Sequence, residues 1–293
     1  MGAWYHKIRG SVTNKLTIAI KITLVTLIIT SCQMGTRNES AVKTAGVRQI
    51  SSAALQQILD SNHVEGCILV YDPADSVYYS NDFERCRTGH LPASTFKIPN
   101  SIIALETGVV EGDSTVIKWD GQKRRLPVWE QDLYFRDAFR VSCVPCYQEI
   151  ARKIGVSRMK QYLSDLDYGN MVVDSATIDL FWLEGESRIS PFQQVDFLYR
   201  FYNSTLPVSA RTESIMKRIL IIEENDTFRL SGKTGWSVRN GNNNGWFVGY
   251  LEKGGHVFFI ATNIDPEVDF NMDMFALIRQ DISIKALNML GLL

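Results

Sequence analysis

The chain of 293 residues is 45% hydrophobic and 22% charged, and its formal net charge at pH 7 is -1. This length and composition provide enough apolar side chains for one large domain or two closely packed ones. The balanced charge and the scattered Lys and Arg residues exclude a nucleic-acid binder that depends on a basic face.

The first segment has the pattern of an export signal. An apolar run over residues 16–29, interrupted by Lys21, follows the basic residues Lys7, Arg9 and Lys15 and precedes small residues. A basic region, a short apolar stretch and small residues are typical of a signal peptide. The run after Lys21 is shorter than the ~20 residues that a membrane-spanning helix needs.

The end of that segment favours a lipid anchor. Ile29-Thr30-Ser31-Cys32 resembles a bacterial lipoprotein box, in which the peptide is cut before the cysteine and the cysteine is lipidated. We therefore predict a lipoprotein-type signal peptide over 1–31, lipidation at Cys32, a polar tether over 32–47, and a periplasmic, membrane-anchored protein. A plain secretory signal and an uncleaved anchor are the alternatives.

After the tether, the pattern begins with strands and then becomes helical. Apolar or alternating runs over 68–72 and 76–80, separated by the turn residues Pro73-Ala74-Asp75, predict a β-hairpin. Helical spacing of apolar residues predicts a helix from Ser94 to about Glu106, ended by Gly108. The middle of the chain, 113–220, is mostly helical in pattern, most clearly over 146–154 and 156–163.

The last third returns to strands and ends in a helix. Predicted strands cover 227–233, 246–251 and 257–263, a tight turn lies at Lys253-Gly254-Gly255, and an amphipathic helix covers 272–290. Strands from both ends of the chain thus bracket a helical middle. We predict an α/β fold of the α+β type over 48–293, an antiparallel β-sheet flanked by helices with an inserted all-helical lobe and a cleft between them.

The cysteines and histidines bear on disulfides and metals. Export implies an oxidising compartment, and the predicted strands can bring Cys67 near Cys86, so both a disulfide and two free thiols are open for this pair. Cys143 and Cys146 are three apart, which suits one helix face better than a bridge. The histidines are scattered without ligand spacing, and we expect no metal site; they are His6, His63, His90 and His256.

The strongest local motif is Ser94-Thr95-Phe96-Lys97. Ser and Lys three apart at a helix start lie on one face, close enough to hydrogen-bond. The serine also lies where free backbone N–H groups favour developing negative charge. A lysine activates a hydroxyl only if an apolar setting lowers its pKa, and Phe96 and Ile98 supply apolar bulk. Alone, however, a Ser-x-x-Lys pattern occurs by chance at many helix starts.

Two further motifs follow in order. Ser142 is a second hydroxyl in the predicted helical lobe, and Lys233-Thr234-Gly235-Trp236 ends a predicted strand. The cation and hydroxyl of Lys233 and Thr234 suit a substrate carboxylate, and Gly235 permits close backbone approach to a ligand. Each motif is weak alone, but their combination on helix, lobe and strand makes chance a poor explanation.

With these residues in place, the sequence resembles the class D β-lactamases, the oxacillinase group of serine penicillin-recognising enzymes, over nearly all of residues 64–290. Four motifs carry the resemblance: Ser94-Thr95-Phe96-Lys97, Ser142-Cys143-Val144, Tyr168-Gly169-Asn170 and Lys233-Thr234-Gly235. The flanks match as well, and Phe181-Trp182-Leu183 stands where class A enzymes place an acidic residue.

The resemblance implies a β-lactamase/transpeptidase-like fold and hydrolysis of β-lactam antibiotics, hence antibiotic resistance. It implies that Ser94 becomes acylated and that Lys97, N-carboxylated by CO₂, is the general base for acylation and deacylation. Carboxylation needs a neutral amine, which an apolar pocket favours. No other cofactor is expected, and the expected partners are small-molecule β-lactams, with membrane contact only through Cys32.

Other roles are implied residue by residue. Trp182 matches the tryptophan whose indole N–H holds the carbamate, and Val144 and Phe96 match the apolar wall. Ser142 and Lys233 would relay a proton to the leaving nitrogen. The remaining roles are carboxylate binding by Thr234 and Arg279, an oxyanion hole from the backbone N–H groups of Ser94 and Trp236, and a more structural part of the substrate site for Tyr168 and Asn170.

Two other functions share these motifs. A β-lactam sensor domain stays acylated and signals through membrane helices, whereas this sequence shows a single amino-terminal apolar segment. A penicillin-binding peptidase uses the same Ser-x-x-Lys chemistry, but Trp182 and the match across the middle lobe favour hydrolysis.

Overall fold

The computed structural model describes residues 46–293, so the predicted signal peptide over 1–31, lipidation at Cys32 and most of the 32–47 tether lie outside the described residues. The strands of this part are β1 (Arg48–Ser51), β2 (Val64–Asp72), β3 (Val77–Ser80), β4 (Val116–Ile117), β5 (Leu133–Tyr134), β6 (Ile221–Glu224), β7 (Phe228–Arg239), β8 (Asn242–Lys253) and β9 (His256–Pro266). The helices are α1 (Ala53–Asp60), α2 (Lys97–Glu106), α3 (Phe135–Arg140), α4 (Val144–Ile154), α5 (Val156–Asp165), α6 (Pro191–Tyr202), α7 (Ala210–Ile219) and α8 (Phe275–Met289).

Seven strands form one sheet in the order β1-β3-β2-β9-β8-β7-β6, and β4 pairs with β5 in a small separate sheet. Every pair in the large sheet is antiparallel except β1 with β3, which is parallel. The predicted fold class is confirmed, with the correction that the sheet is mixed. All four residues of β1 are exposed, so no alternation marks this strand or its direction in the sequence.

The predicted hairpins are present, and the last ones are longer than predicted. β2 and β3 pair antiparallel from Asp72 opposite Val77. β8 and β9 are joined at Gly254 and Gly255, whose φ values are +59° and +80°. Two consecutive left-handed residues match the twist of a two-residue hairpin, and glycine adopts them without a Cβ clash.

Helices cover both faces of the large sheet. On one face, α1 and α8 enclose an apolar cluster with residues of β2, β8 and β9. On the other face, α6 packs on β9, β2 and β8 and joins the core of the helical lobe. The inward face of α8 carries the polar residues Arg279 and Ser283 among apolar ones, so the predicted closing helix has an interrupted apolar face.

α2 is the central helix of the lobe. Its residues from Lys97 to Leu105 are all buried, and it contacts α4, α5 and α7. A helix that is apolar on nearly all sides is stable only inside a protein, and this placement carries Lys97 into the interior. In the described part of the chain, no helix is long and apolar enough to cross a membrane.

Candidate active site

Ser94 lies in a short 3₁₀ turn, residues 93–96, that leads directly into α2. The preceding residue, Ala93, has φ +49°, a left-handed conformation that non-glycine residues adopt infrequently. The Ala93 N–H donates to the carbonyl of Trp182 at 2.8 Å, and the Thr95 N–H donates to the carbonyl of Pro92 at 3.1 Å. These bonds hold the strained turn that presents the Ser94 hydroxyl.

Lys97 is 0% exposed, and its Nζ lies 3.0 Å from Ser94 Oγ. Burial lowers the pKa of Lys97 well below its usual value, and the neighbouring charge of Lys233 lowers it further. The amine also lies 5.1 Å from the centre of the Tyr147 ring. The predicted serine–lysine pair is therefore formed, with an amine that is readily uncharged.

Trp182 lies against the same turn. Its ring stacks on Phe96 with centroids 5.3 Å apart, and its carbonyl accepts the Ala93 N–H. Its buried indole N–H has no hydrogen-bond partner among the described residues. A buried donor without a partner costs free energy, and an acceptor bound beside the indole would remove this cost.

Ser142 and Val144 lie where α3 ends and α4 begins. Ser142 has φ +54°, and its N–H donates to the carbonyl of Phe139 at 3.1 Å, which fixes the bend between the helices. Both residues line a cavity of about 500 Å³ that also exposes Ser94. Other residues of its wall are Trp129, Leu183, Thr234, Trp236 and Arg279.

Two cysteines at the start of α4 form a disulfide, Cys143–Cys146, with Cα atoms 5.4 Å apart. The prediction that this pair suits one helix face better than a bridge is wrong. Cys143 is the N-cap of α4 and has an extended ψ of 100°, so only Cys146 lies in the helix and the sulfurs can meet. Cys67 and Cys86, whose pairing the sequence left open, are free and buried.

β7 brings its Lys-Thr-Gly motif to the Ser94 turn. Lys233 is 6% exposed, and burial, followed by the charge of Arg279, lowers its pKa to about 7. Its Nζ donates to the carbonyl of Thr234 at 3.0 Å. A Cβ on Gly235 would lie 3.1 Å from the carbonyl oxygen of Pro92 and 3.2 Å from Cγ2 of Thr95, so glycine permits this close approach.

Arg279 extends from α8 into the cavity wall. Its guanidinium donates to the carbonyls of Phe275 at 2.9 Å, Gly235 at 2.6 Å and Ala276 at 2.8 Å. Burial lowers its pKa to about 10. Since a guanidinium has about five N–H donors, donors remain for a ligand. The Arg279 cation, together with Lys233 when that amine is protonated, gives this side of the site a positive character suited to an anionic substrate.

The structure places Tyr168 and Asn170 away from the cavity wall. Tyr168 is 1% exposed and its hydroxyl donates to Gln194 Oε1 at 3.3 Å, whereas Asn170 pairs through its backbone with Arg188. Neither residue lines the cavity that exposes Ser94, and Tyr168 is connected to the nucleophile turn through Gln194, which agrees with the more structural part expected of this motif.

Gln194 is a supporting residue that sequence reasoning missed. This fully buried side chain of α6 donates through Nε2 to Thr95 Oγ1 at 2.9 Å and accepts from Tyr168. It therefore links the Tyr168 motif to the residue after Ser94. The Ser190–Gln193 capping box and Pro191 at the first position mark the start of this helix in the sequence, and neither indicates a link across 99 residues.

This sheet, lobe and serine–lysine site define a penicillin-recognising serine enzyme. The family model described as the penicillin binding protein transpeptidase domain matches residues 58–273. β-Lactamase OXA-48 of Klebsiella pneumoniae is 38% identical over 218 residues, which are 74% of this chain and 82% of that protein. β-Lactamase OXA-10 of Pseudomonas aeruginosa is 40% identical over 233 residues, which are 78% of this chain and 86% of that protein.

Solved structures agree with these relatives. The crystal structure of the class D β-lactamase YbXI from Nostoc has a TM-score of 0.78 and 43% sequence identity, covering 82% of this chain and 99% of that chain. The chain therefore belongs to the class D β-lactamases and is a serine β-lactam hydrolase.

Proposed function

We propose that this enzyme hydrolyses β-lactam antibiotics through an acyl-enzyme on Ser94, with N-carboxylated Lys97 as general base, and so gives antibiotic resistance. The observation that carries this proposal is a fully buried Lys97 amine 3.0 Å from Ser94 Oγ. Its lowered pKa leaves the amine uncharged at a pH where an exposed lysine is a cation.

The residues around Lys97 fit a carbamate formed with CO₂. An uncharged amine is the form that reacts with CO₂, and the orphaned indole N–H of Trp182 suits the anionic oxygen that carboxylation adds. The carbamate supplies the general base for acylation and deacylation. CO₂ or bicarbonate is the only added group that this proposal requires.

The remaining groups support attack on a lactam carbonyl. Ser94 Oγ forms the new bond to the carbonyl carbon, and the backbone N–H groups of Ser94 and Trp236 stabilise the oxyanion. Ser142 and Lys233 pass a proton to the leaving nitrogen. A pKa of about 7 suits Lys233 for this task, because a group near neutrality both holds and releases a proton.

The substrate carboxylate binds at the other side of Ser94. Thr234 supplies a hydroxyl in the cavity wall, and Arg279 supplies a buried cation with free donors. Val144 and Leu183 give the wall an apolar part that keeps water away from the reacting bond.

We further propose that the enzyme works in the periplasm as a lipoprotein anchored through Cys32. The basic residues, short apolar run and lipoprotein box of residues 1–32 support this location.

The proposal is tested with purified protein and a chromogenic cephalosporin, with and without added bicarbonate. We expect many turnovers per active site and higher activity with bicarbonate. ¹³C-labelled bicarbonate should give a carbamate NMR signal that is absent from Lys97→Ala. A single stoichiometric burst that leaves a stable acyl adduct contradicts hydrolysis and supports a sensor, whereas turnover by a permanently bare, cationic Lys97 contradicts the carbamate.

A further inference from the structure

The Cys143–Cys146 disulfide is bonded directly to the active-site wall. Ser142 precedes it in the chain and Val144 lies inside its loop, and both line the cavity that exposes Ser94. Any change in the backbone at Cys143 is therefore transmitted to Ser142 through a single peptide bond.

The backbone at this position is held by few contacts. Ser142 has the left-handed φ of +54°, and the Cys143 N–H donates to the carbonyl of Ala138 at 2.9 Å. At the start of α4, the Cys146 N–H donates to Cys143 Sγ at 3.2 Å, in place of the oxygen acceptor that usually caps a helix. The Tyr147 N–H also donates to the Cys143 carbonyl, at a long 3.3 Å. Since sulfur is a weak acceptor, the covalent bridge adds a firm constraint between Cys143 and the first turn of α4.

The bridge also borders a second cavity, distinct from the one that exposes Ser94. This cavity of about 310 Å³ is lined by Cys143, Pro145 and Cys146 together with residues of the 117–131 segment and of α4. Cys143 is 1% exposed, whereas Cys146 is only half-buried. Cys146 is therefore the more exposed partner of the bridge, and an attacking thiolate would approach it from this second cavity.

We propose that Cys143–Cys146 is a thiol–disulfide exchange site for small dithiols and that its reduction slows β-lactam hydrolysis by releasing Ser142. The effect on rate rests on the proposed proton relay of Ser142. The bridge is thus both a positioning element of the site and its redox control.

A dithiol thiolate attacks Cys146 Sγ, a mixed disulfide forms, and the electron pair of the broken bond goes to Cys143 Sγ, where the Cys146 N–H lies at 3.2 Å. The second thiol of the dithiol then closes on its own partner sulfur and releases Cys146. The dithiol loses two electrons and two protons, and the cysteine pair gains both as two thiols.

The test treats the native enzyme with dithiothreitol and follows both the bridge and the activity. Alkylation and peptide mass mapping report whether the peptide with Cys143 and Cys146 is reduced, and a chromogenic cephalosporin reports kcat and KM. We expect kcat to fall about 3- to 100-fold, because a shift of 1 Å in a catalytic group costs about 100-fold. KM should change less than kcat, and reoxidation with oxidised glutathione should restore the rate.

Two variants make the result specific. The double variant Cys143→Ser/Cys146→Ser should have the lowered kcat at once and should not respond to dithiothreitol. Cys67→Ala, which removes a free buried thiol of β2, should respond as the wild type does. A lowered melting temperature with unchanged kcat would indicate a purely structural bridge and would overturn the positioning role.

The outcomes separate this inference from the proposed function. If Ser142→Ala is slow but the reduced enzyme keeps the kcat of the oxidised one, the inference fails and the proposed function stands. If Ser142→Ala retains full kcat, both the proposed proton relay of Ser142 and the effect of the disulfide through Ser142 fail. Reduction that occurs only in denaturant would overturn the exchange site itself.

Discussion

The amine of Lys97 and the indole N–H of Trp182 are both buried, so neither group can form hydrogen bonds with bulk water. Burial lowers the pKa of the amine because the interior disfavours a cation, and the indole donor has no acceptor among the described residues. Each arrangement costs free energy alone. An anionic carbamate formed on the amine would accept a hydrogen bond from the indole N–H and would replace the buried cation. The two residues together therefore support the proposed carbamate better than either does alone.

Trp182→Phe tests this pairing, since it keeps an aromatic ring against Phe96 and removes only the donor. We expect lower kcat at ambient CO₂ and a larger gain from added bicarbonate than in the wild type, because a weakened carbamate needs more CO₂ to form. The measurement is a bicarbonate titration of kcat.

Trp246→Phe is the matched control for losing a buried indole. Its N–H already donates to the carbonyl of Leu91 at 2.8 Å. The expected result is a lower melting temperature, since an orphaned buried carbonyl costs about 1–3 kcal/mol, with the bicarbonate dependence of the wild type. An equal bicarbonate response in both variants would count against a specific role for Trp182.

At this scale, spacing and chemistry predicted the reactive pair but missed its supports. Ser94 and Lys97 are three apart on one turn, so their contact is a local property. The link from Gln194 to Thr95 depends on how α6 packs, and the Cys143–Cys146 bridge depends on where α4 begins. Helix boundaries shift easily by one or two residues in sequence-based reasoning, and here one residue decides between a helix face and a bridge.

Between elements, β7 approaches the Ser94 turn closely at Gly235. Gly235 provides the clearance, and on its other side the Arg279 guanidinium donates to its carbonyl. The strand is therefore held against both the nucleophile turn and α8.

Gly235→Ala should push β7 away from the turn by a few tenths of an ångström. We expect kcat/KM to fall about three- to tenfold, less than the roughly 100-fold cost of a 1 Å displacement. Steady-state kinetics on a chromogenic cephalosporin measures this. Gly112→Ala is the control, since a Cβ there would meet only Arg211 Nη2 at 3.9 Å, and equal losses in both variants would refute the clearance argument.

The strands that alternate or run apolar were predictable, and the polar ones were not. β2 and β9 contain long buried runs. β8 begins with three asparagines, Asn242 to Asn244, which read as a loop but pair with the end of β7. Their strand conformation comes from the partner strand and not from their own propensity.

Across the whole molecule, the buried lysines of the site make stability depend on pH. The pKa of Lys233 is about 7 in the folded protein and 10.5 for a free lysine. Between these values the unfolded chain binds more protons than the folded one, so the free energy of unfolding rises with pH in this window. Lys97, whose pKa is also lowered, acts in the same direction.

Lys233→Met should therefore lose this pH dependence. We expect the stability of the wild type relative to the variant to rise by up to about 1.4 kcal/mol per pH unit between pH 7 and 10.5. Urea unfolding at pH 7.5 and 9.0 measures the difference. Lys160→Met, on the exposed side of α5, should show the same change in unfolding free energy with pH as the wild type. A difference in unfolding free energy between the wild type and Lys233→Met that stays constant with pH would show that the buried amine does not titrate in this way.

The position of β1 in the sheet also determines where the domain can be attached to a carrier without blocking the active site. β1 is an edge strand, five positions from β7 in the strand order, and at ~4.8 Å per strand about 24 Å of sheet separates them. A carrier protein or a solid support joined ahead of Arg48 would therefore be attached at the edge of the sheet that is remote from the opening of the Ser94 cavity, through which antibiotics enter. Attachment at Asn240 and Gly241, between β7 and β8, would instead crowd that mouth.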